Sequence, residues 1–247
     1  MNQSDEKIYF SVVVLCYRSE RGLIPFVERL HHMLSLFRFS WEIILVGNYL
    51  EGAKDETPQV VRELETRLSN TRSLTLPKKG MMGWDMRSGL EIARGKYVGV
   101  IDGDGQFPLE SIISCLVKIE AEDLDLVKTY RVRREDGVYR KLISKIFNAT
   151  FKILFNSEFK DVNSKPKIFL GSKLANMNLQ SDDWFVDAEI MLRAKEMGFK
   201  IGEIPIHFYD ISGRASFVKM AAIFEFIKHL LQYRFSKAVP LEKKSSI

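Results

Sequence analysis

The sequence predicts an α/β fold, a largely parallel sheet with helices on both faces. Short β-branched runs alternate with longer stretches of helical apolar spacing through the first half of the chain. Several of these runs are continuously apolar, as in strands buried on both faces. One of them, Tyr97 to Ile101, ends abruptly in Asp102-Gly-Asp-Gly-Gln-Phe-Pro108, and the carboxyl ends of strands are where open α/β sheets bind ligands.

The elements follow in order. Phe10–Leu15 is the first strand. Residues 20–37 carry helical spacing through Leu23, Val27, Leu30, Leu34 and Phe37. Trp41–Val46 is the second strand, 57–68 a helix and 73–76 a short third strand. Residues 82–93 read as a helix, 96–101 as the fourth strand, 109–120 as a helix and 124–129 as the fifth strand. Val138–Phe155 is amphipathic. Leu142, Ile143, Ile146, Phe147, Phe151 and Leu154 share one face; Lys141, Lys145, Asn148 and Lys152 share the other. Residues 161–169 are polar and then briefly extended. A helix over 183–197 stops at Gly198, and a strand follows over 200–206. A polar loop over 210–216 leads to a last amphipathic helix over 217–234.

The chain has 247 residues, 46% of them hydrophobic, enough to build a sizeable core. We expect a single domain over 8–235, with 1–7 and 236–247 as flexible tails. Net charge is +5, from 37 basic and 32 acidic residues, which suits anionic substrates or an anionic membrane surface and does not by itself imply nucleic-acid binding. Cys16 and Cys115 fit reduced, buried thiols in the cytoplasm better than a disulfide framework. The polar start reads as no signal peptide, and no apolar run approaches the ~20 residues a spanning helix needs. A soluble or peripheral protein is therefore expected.

The Asp102 loop carries the most chemistry. Gly103 and Gly105 permit a tight turn and close ligand approach, and Pro108 suits the first turn of the next helix. Asp102 and Asp104, with the amide oxygen of Gln106, suit a hard divalent ion, Mg²⁺ or Mn²⁺, of the kind that bridges a substrate diphosphate. The competing reading is an ordinary acidic turn, disfavoured by the buried strand before it and the Gln-x-Pro after it. The four histidines have no zinc-ligand spacing. Dehydrogenase and Walker-type phosphate loops are lacking, so those activities have no support.

An ordered series of blocks resembles glycosyltransferase family 2, and within it the dolichol-phosphate mannosyltransferase and polyprenyl-phosphate glycosyltransferase branch. The blocks are Val12 to Glu20, Trp41 to Asn48, Gly80 to Gly89 with Ala93-Arg-Gly95, Asp102 to Pro108, Asp161 to Lys167, Asp187-Ala-Glu189 with Gly198 to Pro205, and Gly213-Arg-Ala-Ser216. The fourth looks like the family's Asp-x-Asp-x-Gln-x-Pro, and the fifth is akin to its Asp-x-x-Ser-Gly-Phe-Arg. The chain departs from the pattern at Leu15, where the family has Pro, at Arg18, where it has Asn, and at Gly47-Asn48, where it has two aspartates.

The resemblance implies the GT-A fold and a metal-dependent, inverting transfer from a UDP- or GDP-linked sugar to a polyprenyl phosphate. It places Cys16, Tyr17, Arg18, Glu20, Asn48, Asp85, Arg87, Asp102 and Gly103 near the nucleotide-sugar. Asp102, Asp104 and Gln106 would hold the ion. Arg131, Arg140 and Lys167 would meet the acceptor phosphate, Arg214 would fold over the diphosphate, and Asp104, Asp187 and Arg214 form the catalytic set. The amino end of the helix after Gly80 could face the anionic donor. Asp187 is open between a general base, an orienting group and a structural acceptor. Asp182 and Asp183 suit the N-cap of the helix that begins near Trp184. A glycan hydroxyl as acceptor, a nucleotidyltransferase and a non-catalytic sugar-nucleotide-binding subunit are the alternatives. Expected partners are the donor, the acceptor, a membrane surface contacted peripherally at the cytoplasmic face, and a second copy of the chain; nucleic acid is not expected.

Overall fold

The computed structural model describes residues 7–134 and 138–209, together with Leu230 and Tyr233. Along the chain run β1 (Phe10–Leu15), α1 (Ile24–Ser35), β2 (Trp41–Val46), α2 (Thr57–Arg67), β3 (Thr71–Leu74), α3 (Met82–Glu91) and β4 (Tyr97–Asp102). Then come α4 (Ser111–Ala121), β5 (Leu126–Arg134), α5 (Val138–Phe155), β6 (Lys167–Leu170), the single turn α6 (Gly171–Leu174), α7 (Val186–Glu196) and β7 (Ile201–Phe208). Residues 20–23, expected as the start of the first helix, form a separate 3₁₀ turn, Glu20–Leu23, before Pro25 opens α1.

The strands form one sheet in the order β3-β2-β1-β4-β6-β5-β7. β1, β2, β3 and β4 run parallel, as do β5 and β7. Between the two groups lies β6, antiparallel to both neighbours. The first half obeys the local pattern because β1 and β2 are buried on both faces: all twelve positions are buried, and all but Ser11 and Glu42 are apolar.

Side chains alternate between two apolar layers. Phe10, Val12 and Val14 join α1, α2 and α4 on one face of the sheet. Val13 and Leu15 join α3, α5 and α7 on the other. Leu230 is buried in this second layer, and Tyr233 packs against Phe155 and Phe185. These two positions of the expected last helix therefore face the core; the rest of 217–234 lies outside the described residues, as do Arg214 and both tails beyond Lys7 and Tyr233.

Candidate active site

Parallel pairing sets Leu15 of β1 beside Asp102, so both strands end together. The chain turns at once, and Gly103 N–H donates to Leu15 O at 2.9 Å. A Cβ on Gly103 would stand 2.8 Å from Leu23 Cδ1 and 3.0 Å from Val14 Cγ1, so this position requires glycine for close approach. Asp104 Oδ1 accepts the Gln106 N–H at 3.0 Å, which stiffens the turn. Gln106 in turn clips the loop to the end of β7: its Nε2 donates to Tyr209 O at 3.3 Å, and Tyr209 N–H donates to Gln106 O at 3.0 Å.

The antiparallel strand supplies what local pattern did not reveal. Val100 pairs with Lys167, so stepping two residues outward on each strand brings Asp102 against Lys165. The Lys165 ammonium lies 3.4 Å from Asp102 Oδ2 and 3.1 Å from Asp187 Oδ2. The other Asp187 oxygen takes Lys167 Nζ at 2.5 Å, and Lys167 also donates to Ser164 O at 2.9 Å. Burial alone would depress Lys165, but Asp102 and Asp187 more than reverse this and hold it above the usual lysine range. Burial brings Lys167 down to about 8, against the pull of Asp187. Burial would raise the Asp187 carboxyl, yet its two ammonium partners keep it below the ordinary aspartate value.

One expectation changes here, and the open role of Asp187 narrows. Lys167 is completely buried behind Asp187, so it does not reach an acceptor phosphate in this arrangement. Asp187 is likewise buried, with both oxygens paired, a geometry that anchors two cations and offers no open carboxylate to an acceptor. Lys165 stands where the family pattern has glycine. A charged residue at that departure was the signal that could have singled it out.

Of the residues expected near the nucleotide-sugar, Cys16 is buried and its thiol points to Val14 O at 3.2 Å, so its side chain faces the core. Asn48 is also buried and spends its amide inside the protein: Nδ2 donates to Asp85 Oδ1 and Ser88 Oγ, each at 3.0 Å, and Oδ1 accepts Leu76 N–H at 2.9 Å. It holds Asp85 rather than presenting a base-reading edge. Asp85 pairs with Lys78, a residue the sequence reading passed over, and Lys78 Nζ sits 4.1 Å above the Tyr17 ring. Burial raises the Asp85 carboxyl, with Lys78 and Asn48 opposing. Tyr17, Lys78, Asp85 and Asn48 thus form one continuous chain from the end of β1 to α3. Arg18 and Glu20 are exposed beside it, both with positive φ, 50° and 46°.

The amino end of α3 is closed rather than open to an anion. Met81 and Trp84 N–H both donate to Asp182 O, at 2.6 and 3.1 Å. A Cβ on Gly83 would come within 2.3 Å of Ser181 O, so glycine lets this loop seat on the helix. Arg87 is drawn to the same loop, pairing with the Asp182 carboxylate and with Gln180 O at 2.8 Å. Asp182, expected at the start of the helix near Trp184, instead caps α3 through its carbonyl, while Asp183 Oδ1 accepts Phe185 N–H at 2.7 Å just before α7.

Near the end of β5, Arg131 forms a bidentate pair with Asp161, Nε to Oδ2 at 2.6 Å and Nη2 to Oδ1 at 2.7 Å. Burial would raise Asp161, but the guanidinium holds it down to about 2. Nearby, Lys128 is buried and bonded to Glu203 Oε1 and Thr129 O, each at 2.9 Å. Arg140 belongs to the first turn of α5; its side chain lies outside the described residues.

Among the described residues no three His, Cys, Asp or Glu side chains cluster to hold a metal. Two hard carboxylates on one short turn nonetheless fit an oxygen-seeking ion whose remaining ligands come from a bound diphosphate and water. They do not form a closed, all-protein site.

Comparison with known proteins decides the family. The description Glycosyl transferase family 2 matches residues 11–181. The chain belongs to glycosyltransferase family 2. This glycosyltransferase is 30% identical over 238 residues to a dolichyl-phosphate beta-glucosyltransferase of Trichomonas vaginalis, covering 87% of this chain and 71% of that one. It is 27% identical over 183 residues to the dodecaprenyl-phosphate galacturonate synthase of Rhizobium johnstonii, covering 73% and 53%. Its GT-A fold matches glucosyl-3-phosphoglycerate synthase from Mycobacterium tuberculosis, solved with Mn²⁺, UDP and phosphoglyceric acid, at TM-score 0.68 and 16% identity over 93% and 79% of the two chains.

Proposed function

We propose that this family 2 enzyme moves a sugar from a nucleotide-diphospho-sugar to a polyprenyl phosphate. The observation that carries the reading is the Asp102-Gly-Asp104 turn at the end of β4 in a chain related to polyprenyl-phosphate glycosyltransferases. Asp102 and Asp104 would hold a divalent ion on the diphosphate; when bound, that ion offsets the charge left on the departing nucleotide. A phosphate oxygen of the acceptor attacks the anomeric carbon, the bond from that carbon to the diphosphate breaks, and the nucleoside diphosphate leaves with inversion.

The buried state of Asp187 favours this acceptor over a glycan hydroxyl. A hydroxyl must lose its proton to a reachable base. A phosphate monoester has its second pKa at ~6, so it is already anionic and needs only positioning. Arg131, fixed by Asp161, and Arg140 at the head of α5 are the acceptor-side groups in this reading.

Membrane contact is assigned to the outer side of α5. Ile146 and Ile153 are exposed there with Ala149, Lys145 and Lys152. Ile146, expected on the buried face, belongs to this stripe. No helix of the described residues is long and apolar enough to cross a membrane.

The test is transfer from UDP-glucose, UDP-galacturonate and GDP-mannose to dolichyl and undecaprenyl phosphate, with and without Mn²⁺. Glycolipid formation is expected with one donor; activity only on glycan hydroxyls would overturn the acceptor assignment. Ile153→Glu should weaken sedimentation with anionic vesicles while leaving transfer to a short-chain, water-soluble acceptor unchanged.

A further inference from the structure

We propose that Lys165 is an internal cation of the donor site, sharing Asp102 with the divalent ion and making capture of that ion depend on the nucleotide diphosphate. The inference rests on the functional reading above and extends it. The geometry is the antiparallel step from Val100 and Lys167, which sets Lys165 Nζ 3.4 Å from Asp102 Oδ2. Asp187 holds the ammonium from behind at 3.1 Å, and the side chain is buried.

Charge decides the consequence. Lys165 and Lys167 offset Asp102 and Asp187, leaving these four groups neutral together. Hard divalent ions are bound in proportion to the negative charge their ligands supply. Asp104 adds one negative charge, so the ion alone meets a poorly charged site with a fixed cation beside it. A diphosphate brings the missing negative charge. Lys165 is then a positioning residue: it orients Asp102 and sets the order in which ion and nucleotide bind.

The experiment is Mn²⁺ titration of the full chain, followed by the paramagnetic signal of the free ion, with and without UDP. The wild type is expected to bind Mn²⁺ weakly alone and much more tightly with UDP. Lys165→Met should bind Mn²⁺ alone on the order of tenfold more tightly than wild type, because the competing cation is gone. Lys165→Arg should behave as wild type. Lys165→Gln is the second neutral variant, and circular dichroism and a thermal melt establish folding of each. A folded neutral variant with wild-type Mn²⁺ affinity overturns the assignment of Lys165, as does failure of both neutral variants to fold. A wild type that binds neither UDP nor Mn²⁺ overturns the functional reading itself, a different and separable result.

Discussion

Two buried carboxylates, at opposite ends of the same sheet, are each held by two cations, and the cations differ. At the amino end of β2, Glu42 accepts from Ser11 Oγ at 2.7 Å, Arg72 at 3.0 Å and Arg94 at 3.2 Å. Those arginine side chains are 38% and 63% exposed. At the carboxyl end of β4, the partners of Asp187 are lysines at 3% and 0% exposure, and one of them reaches on to Asp102. Glu42 ties strand ends and a loop together with charges that water already solvates. Asp187 places charge inside the protein, next to the turn that ends in Asp104. A charge kept in low dielectric acts more strongly on what binds beside it, and costs more to leave unpaired.

The comparison breaks most sharply on stability. Asp187→Ala leaves two buried ammonium groups without their shared partner and should destabilise by about 3–5 kcal/mol. Glu42→Ala leaves arginines that turn to solvent, and should cost about 1–3 kcal/mol, largely from the Ser11 hydroxyl left without its acceptor. Urea denaturation of both variants measures the gap; equal losses would erase the distinction. Activity sharpens it next. Asp102→Ala with Asp104→Ala should lower kcat/KM by ~10²–10³-fold, the usual consequence of removing an electrostatic stabiliser. Glu42→Ala, at the far end of the sheet, should leave kcat/KM near wild type in the same assay.

The smallest effect concerns acid. Asp161, paired with Arg131, has its pKa lowered from 3.8 to about 2 in the folded protein. A depressed carboxyl stabilises fully above the unfolded value and loses that contribution as pH falls through the folded one. The window is therefore pH about 4 down to about 2, and the contribution is on the order of 2 kcal/mol. Asp161→Asn should flatten stability across that window relative to wild type, read from thermal melts at successive pH values.

Several features were legible in the residues. β1 and β2 coincide with the mainly apolar runs Phe10–Leu15 and Trp41–Val46, because strands buried on both faces leave a nearly continuous apolar signature. α5 spans Val138–Phe155 as its spacing indicates. The fifth strand runs longer than its apolar stretch, Leu126–Arg134 against 124–129, since pairing with β7 carries it through polar residues. Asn48, Arg87 and Lys167 look like ligand contacts by type and position, yet each is spent on a partner inside the protein. Those partners lie 37, 93 and 20 residues away, beyond any local pattern.

By itself, the sequence determined the alternation of strands and helices, the acid pair at the end of β4 and membership of the family, because these rest on neighbouring residues and their period. Only the tertiary structure decided that Lys165 meets Asp102 across 63 residues, that Lys167 is hidden and that Asp182 closes α3. The reason is β6: a four-residue strand whose antiparallel insertion depends on the edges offered by β4 and β5, not on its own composition.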